Sequence, residues 1–156
     1  EKRHVEIRGC EATARIIDVK PEAEEDWKTE YLDYIISVKI VGSLDEAVRH
    51  INAYGSGHTD AIVTSDRASA AKFISLVDSG NVFWNASTRF SDGFRYGLGA
   101  EVGISTGKIH ARGPVGLEGL VIYKWIIQGG GQTVADYAEG RKKFTHRPLE
   151  KKYRDT

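Results

Sequence analysis

Between Ile35 and Ala86 the chain switches twice from a short apolar run to an amphipathic helical pattern and back. Ile35 to Val41 (IISVKIV) is β-branched and almost wholly apolar, which predicts a strand buried on both faces. Ser43 then predicts a helix N-cap, with Glu46 completing a capping box. Leu44, Ala47, Val48, Ile51 and Tyr54 follow helical spacing, and Gly55 predicts the stop. Thr59 to Thr64 (TDAIVT) reads as a second strand. Ser65 or Asp66 caps a second helix, with Ala70, Phe73, Ile74 and Val77 on one face and Ser79-Gly80 at its end. Asn81 to Ala86 (NVFWNA) reads as a third strand. A β-α-β-α-β order leaves few solutions. Parallel strands need helical crossovers, so the pattern predicts an α/β domain: an open, mostly parallel sheet with flanking helices. Ligands of such sheets sit beyond the carboxyl ends of the strands.

The third strand runs directly into the stretch Asn85 to Leu120, which holds eight of the seventeen glycines. From Ser87 to Pro114 neither a helical nor an alternating period is sustained, so a long loop is predicted. Loops of this length inside a compact domain are functional or disordered. Aromatics, Ile and Leu are threaded through this one, and disordered linkers lack them. Arg89, Arg95, Lys108 and Arg112 lie among the glycines, so the expectation is a fixed loop that grips an anion. An Arg fork grips carboxylate or phosphate bidentately. Arg89 follows closely on the strand end and has two readings, a ligand-binding residue or the partner of Asp92 in a salt bridge. Ser87 and Thr88 offer hydroxyls at the same place. Arg112 is expected to brace the loop, with Glu101 and Glu118 available as partners. His110 either orients a substrate or packs the loop.

Val5 to Arg8 and Ala14 to Val19 read as short strands, and Pro21 to Lys28 as an acidic surface loop with Asp26-Trp27 and Tyr31-Leu32 as docking points. Leu120 to Ile127 (LVIYKWII) predicts another apolar strand, either core or a contact with a second subunit. Gly129 to Gly131 break it, and a basic tail follows from Arg141. The formal net charge is zero, which argues against a nucleic-acid binder that relies on bulk positive charge. No apolar run reaches the length of a membrane span, and no signal-peptide pattern opens the chain. Cys10, the single cysteine, cannot form an internal disulfide and fits a reducing compartment. It is read as incidental. No nucleophile elbow, P-loop or zinc spacing appears, and no metal site is expected. Asn85-Ala86-Ser87 matches a glycosylation sequon and is read as chance. With no methionine and Glu at position 1, the chain is expected to be a piece of something longer.

The run NASTRFSDGFRYGLGAEVGISTGKIHARGPVGLEGL closely resembles the C-terminal part of the γ-glutamyl phosphate reductases, also called glutamate-5-semialdehyde dehydrogenases. The same domain forms the C-terminal half of bifunctional Δ1-pyrroline-5-carboxylate synthases. The resemblance extends upstream through SVKIVGSLDEAVRHINAYGSGHTDAIVTSDRASAAKFISLVDSGNVFWNAST and downstream through VIYKWII, covering roughly Glu25 to Gln132. It implies the fold of the aldehyde dehydrogenase superfamily. It also implies NADPH-dependent reduction of L-glutamyl 5-phosphate to glutamate 5-semialdehyde and phosphate, in proline biosynthesis. In that family a cysteine thiolate attacks the acyl phosphate, phosphate leaves, and hydride resolves the thioester.

The family's nucleophilic cysteine and its Rossmann-like cofactor domain lie N-terminal to the residues present here. Cys10 does not match the nucleophile's motif, so no catalytic residue is assigned and the chain alone is expected to be inactive. The resemblance implies a partial catalytic domain over residues 1–119, an oligomerisation strand over 120–132 and a tail over 133–156. Glu30 sits where the superfamily has a glutamate that holds the nicotinamide ribose. Ser87, Thr88 and Arg89 match the substrate loop, where they could hold the substrate's α-carboxylate or phosphate, with Phe90 as packing. A homo-oligomer is implied, together with a glutamate 5-kinase as partner or fused domain. The implied location is cytoplasmic, or mitochondrial within a bifunctional synthase. Two alternatives remain: an aldehyde dehydrogenase with another substrate, and a non-catalytic assembly module of the same fold. STRFSDGFR and IHARGPVG argue against the first, because general aldehyde dehydrogenases match them only loosely.

Overall fold

The computed structural model describes residues 4–148, which fall into two units divided between Ile122 and Tyr123. The first unit carries the α/β pattern. Its strands are β1 (Glu6–Gly9), β2 (Lys20–Pro21), β3 (Ile35–Val38), β4 (Thr59–Ile62), β5 (Asn81–Trp84), β6 (Gly103–Ser105) and β7 (Gly113–Val115). Its helices are α1 (Glu11–Ala14), α2 (Leu44–Tyr54) and α3 (Arg67–Leu76). Strands β2-β1-β3 form one parallel sheet, with Glu6 opposite Ile35 and Gly9 opposite Val38. A second parallel pair joins β4 and β5 from Thr59↔Asn81 to Ile62↔Trp84. Strands β6 and β7 form an antiparallel hairpin.

The core sits where α2 and α3 meet the β4–β5 pair. Val48, Phe73 and Val77 are its buried centre, with Leu44, Ile51, Ile62 and Val82 packed around them. Ala70 is completely buried, which lets α3 approach closely, whereas Ile74 turns largely to solvent. The predicted caps form with one shift of partner. The Glu46 amide donates to Ser43 Oγ at 3.2 Å, but the Glu46 carboxylate accepts from Gly42 N rather than from Ser43 N. Asp66, not Ser65, caps α3, accepting from Ala68 N and Ser69 N at 3.1 and 2.9 Å. Helix α3 ends at Leu76, before Ser79-Gly80, where Asn52 donates to Leu76 O and accepts from Asp78 N.

Three sequence expectations fail in residues 5–41. Ala14 to Val19 is not a strand. Residues 11–14 coil into α1, held by Thr13 Oγ1 donating to Val38 O. Strand β2 begins only at Lys20 and is cut short by Pro21, which has no amide proton to give a ladder. Strand β3 is shorter than predicted and is not buried on both faces: Ile36 is 50% exposed, and β3 is the edge of its sheet. Finally, 21–28 is more than a surface loop. Residues 24–28 form a 3-10 turn whose Asp26 is buried. Asp26 accepts from Ala23 N at 2.7 Å, from Tyr31 OH at 2.6 Å and from Arg8 Nη1 at 2.6 Å. Trp27 meets His50 of α2 edge-on at 5.1 Å, tying the same turn to the helix layer.

In the second unit α4 (Val134–Ala138) is capped by Thr133. The tail folds back on it: Arg141 Nη2 and Lys142 Nζ reach Asp136 at 3.0 and 3.2 Å, and Phe144 stacks on Tyr137. The part of the predicted tail from residue 149 to 156 lies outside the described residues. The strand predicted over Leu120 to Ile127 forms no ladder among the described residues. A 3-10 turn over Leu117–Leu120 precedes it, and Ile122, Tyr123, Trp125 and Ile127 are exposed. Among the described residues, no helix is long and apolar enough to cross a membrane.

The Asp26 contacts carry a pH signature. Hydrogen bonds from Ala23 N, then Tyr31 and Arg8, lower its carboxyl from the usual value to about 2. Because the folded value is depressed, the stabilisation is complete above the unfolded carboxyl's ordinary value of about 4 and is lost as pH falls toward 2. Urea unfolding of the wild type and Asp26→Asn should therefore differ clearly at pH 6, with the gap closing below pH 4. A gap independent of pH would contradict this.

Candidate ligand-binding site

The carboxyl ends of β4 and β5 are locked together by one side chain. Asn85 accepts from Thr64 N and donates to Thr64 O, both at 2.9 Å, and Trp84 Nε1 donates to the same carbonyl. Asn85 itself takes a left-handed backbone at φ 52, a conformation that Asn tolerates better than most residues. The chain thereby turns off the sheet, and residues 88–90 form a 3-10 turn lying against β4. A cleft of about 620 Å³ opens here, lined by Val63, Thr64, Ser65, Asn85, Ala86 and Ser87.

Ser87 Oγ accepts from Arg89 N at 3.2 Å, fixing the turn. Arg89 is exposed, and its guanidinium makes no ion pair or hydrogen bond among the described residues. The Arg89–Asp92 salt bridge is absent because Asp92 is already committed. Its Oδ1 accepts from Phe94 N and Arg95 N, and its Oδ2 from Arg95 Nη1 at 2.9 Å. Arg95 Nη1 also donates to Arg89 O at 3.0 Å. One arginine thus braces the backbone of the other and leaves the second fork open. Phe90, expected as packing, is 54% exposed within this chain.

The rest of the loop is fixed, as its composition predicts, but by partners that the sequence does not single out. Arg112 braces it through Asp78 rather than Glu101 or Glu118: Nη1 reaches Asp78 Oδ1 and Nη2 reaches Asp78 O, each at 2.9 Å. Lys108 pairs with the same carboxylate. Asn81, nearly buried at the start of β5, donates to His58 O and accepts from Tyr96 OH at 2.7 Å. Gly113 passes Asn81 at φ 77, so close that an added Cβ would lie 3.0 Å from Asn81 Oδ1. The β6–β7 hairpin lies within the span predicted to lack strands. Its three-residue strands are too short to register as a period.

Glu30 lies elsewhere. It lines a second cleft of about 690 Å³ with Trp27, Tyr54, His58, Thr59 and Thr106, at the opposite end of β4. Its carboxylate has no hydrogen bond or ion pair among the described residues. The structure therefore gathers Ser87, Thr88 and Arg89 at the strand ends and sets Glu30 at a separate opening. Cys10 and His110 line neither cleft. A hydrogen bond with Thr13 and another from Ile40 N lower the Cys10 thiol to about 7. Sequence reasoning missed Ser91, whose buried hydroxyl has no hydrogen-bond partner among the described residues. Its place two residues beyond Arg89 was the available signal. Among the described residues there is no cluster of three His, Cys, Asp or Glu able to hold a metal.

A sequence profile of the aldehyde dehydrogenase family matches residues 4–101. The γ-glutamyl phosphate reductase of Ruminiclostridium cellulolyticum is 65% identical over 97% of this chain, and that of Acetivibrio thermocellus 63% over 98%. The chain spans about a third of the length of these relatives, 35% and 36% respectively. The crystal structure of γ-glutamyl phosphate reductase from Thermotoga maritima superposes with a TM-score of 0.79 at 52% identity, covering 83% of this chain and 31% of that one.

Proposed function

We propose, for a chain that belongs to the aldehyde dehydrogenase family, that it is the C-terminal part of a γ-glutamyl phosphate reductase. The whole enzyme reduces L-glutamyl 5-phosphate to L-glutamate 5-semialdehyde and phosphate with NADPH, in proline biosynthesis. The observation that carries the site is the open Arg89 fork, on a braced backbone, beside the cleft at the carboxyl ends of β4 and β5.

In this reading Arg89 donates paired hydrogen bonds to the substrate's α-carboxylate or phosphate. Ser87 Oγ already accepts from Arg89 N, so its own proton is free to be donated to the same anionic group. The Thr88 hydroxyl adds a further donor. Asp92, tied to Arg95, holds the turn without competing for Arg89. The reacting thiol comes from outside these residues, and this loop presents the substrate to it.

Glu30 fits a nicotinamide ribose. It offers an unpaired carboxylate in an open cleft, an acceptor for two hydroxyls. The nicotinamide cofactor supplies hydride when bound. The two clefts lie at opposite ends of the four-residue β4. The exposed Ile122–Ile127 run supports a contact with a second copy, because an apolar segment of this kind needs cover. A glutamate 5-kinase, separate or fused, supplies the labile acyl phosphate. The location is cytoplasmic, or mitochondrial within a bifunctional synthase.

The direct experiment follows NADPH oxidation by the intact enzyme with glutamate, ATP and a glutamate 5-kinase. Oxidation that requires all three supports the reading. Oxidation of NADPH with other acyl phosphates but not this one rejects it. In that assay Arg89→Lys, which keeps the charge and loses the fork, should raise the substrate KM about tenfold or more. Unchanged KM and kcat would remove Arg89 from the site. Trp125→Glu should yield smaller species by light scattering, and an intact oligomer would reject the subunit contact.

A further inference from the structure

Glu30 stands on a frame far more constrained than its own exposure suggests. On its N-terminal side, Thr29 Oγ1 donates to Glu25 O at 2.7 Å and Thr29 N donates to Asp26 O. On its C-terminal side, Tyr31 OH donates to Asp26 Oδ1 at 2.6 Å and lies 2.8 Å from Ser37 Oγ on β3. The Arg8 guanidinium sits 5.0 Å above the Tyr31 ring and also donates to Asp26. Arg8 is held in turn by Glu6 at 2.9 Å, within β1. Every one of these bonds bypasses the Glu30 carboxylate. Both chain neighbours of Glu30 are anchored to Asp26, Thr29 through its backbone carbonyl and Tyr31 through its carboxylate. The carboxylate reaches β1 through Arg8, and Ser37 of β3 donates to the Asp26 carbonyl. Side chains at a binding site must be held to within about half an ångström to be effective, and their own neighbours do the holding.

We infer that Tyr31 and Asp26 are positioning residues for Glu30, holding its backbone at the cleft so that its carboxylate can reach the cofactor's ribose. The inference rests on the proposed role of Glu30 and goes beyond it. It assigns to the Asp26–Tyr31–Arg8 group a share in cofactor binding, where a core ion pair alone would contribute only to stability. Tyr31 touches no ligand in this account. Its effect passes through Glu30, and removing Glu30 should abolish it.

The test uses the intact enzyme, with the KM for NADPH, kcat and thermal midpoint measured for Glu30→Gln, Tyr31→Phe and the double variant. Tyr31→Phe keeps the ring above Arg8 and deletes only the hydroxyl. Glu30→Gln should raise the KM for NADPH about tenfold. Tyr31→Phe should raise it about fivefold with kcat within a factor of two, because a misplaced carboxylate weakens binding before it changes chemistry. In the Glu30→Gln background, Tyr31→Phe should add nothing to KM while still lowering the thermal midpoint. Ser37→Ala, which removes the hydroxyl's other partner, should shift KM in the same direction and covers the case where Tyr31→Phe does not fold. If Glu30→Gln raises KM but Tyr31→Phe and Ser37→Ala leave it at the wild-type value, the positioning role is overturned and the Glu30 assignment stands. If Glu30→Gln itself leaves KM unchanged, both are overturned. Effects of Glu30 and Tyr31 that multiply in the double variant also overturn the inference.

Discussion

The amide of Asn81 is the interaction on which the site depends. It sits at the first residue of β5, nearly buried, and reaches three separate segments. Its nitrogen bonds His58 O and Thr59 Oγ1, which joins β5 to the start of β4. Its oxygen takes the Tyr96 hydroxyl from the glycine-rich loop, and Gly113 of β7 passes against it. A buried amide with a missing partner is costly, so these segments are held in one arrangement. The loop is returned to the sheet at Asn81 and pinned again at Asp78, both at the amino end of β5, while Asn85 fixes the carboxyl end from which residues 87–89 emerge. The open fork of Arg89 is therefore the consequence of bonds made elsewhere, by Asp92, Arg95 and Asn85.

Two carboxylates divide the charged work. Asp92 absorbs Arg95, and Asp78 absorbs Lys108 and Arg112. Of the four cations among the loop glycines, three are consumed in bracing, and only Arg89 is left without a partner among the described residues. A loop with several arginines and lysines is thus not several anion sites. The braced ion pairs fix geometry, and Arg89 is the cation left open for the proposed ligand.

The legible part of the molecule was the part with a period. The helices at Leu44–Tyr54 and Arg67–Leu76 and the strands around them follow from apolar spacing and caps, with errors of up to three residues at the ends. Strand environment was less legible. Ile35 to Val41 reads as doubly buried, yet β3 lies at a sheet edge, because a run of β-branched residues does not say how many neighbours a strand will have. Ala14 to Val19 has strand composition, but Thr13 and Pro21 divert it through side-chain and ring chemistry that a periodicity cannot register. Within the candidate site, the fixed loop and the place of Arg89 just beyond a strand end were visible from composition and position. The choice between salt bridge and open fork was not, because it depended on Asp92 meeting Arg95 first. Asn81 and Asp78 left no mark in the pattern, since single polar residues gain their meaning only from what the fold sets beside them.

The central claim is that Arg89 meets the substrate's anionic group at the carboxyl ends of β4 and β5. A crystal structure of the intact enzyme with a non-hydrolysable phosphonate analogue of L-glutamyl 5-phosphate tests it most directly. The account predicts the analogue's carboxylate or phosphonate within hydrogen-bond distance of the Arg89 guanidinium and the Ser87 hydroxyl, in the cleft beside Asn85. An analogue bound elsewhere, with Arg89 still turned to solvent, would contradict it.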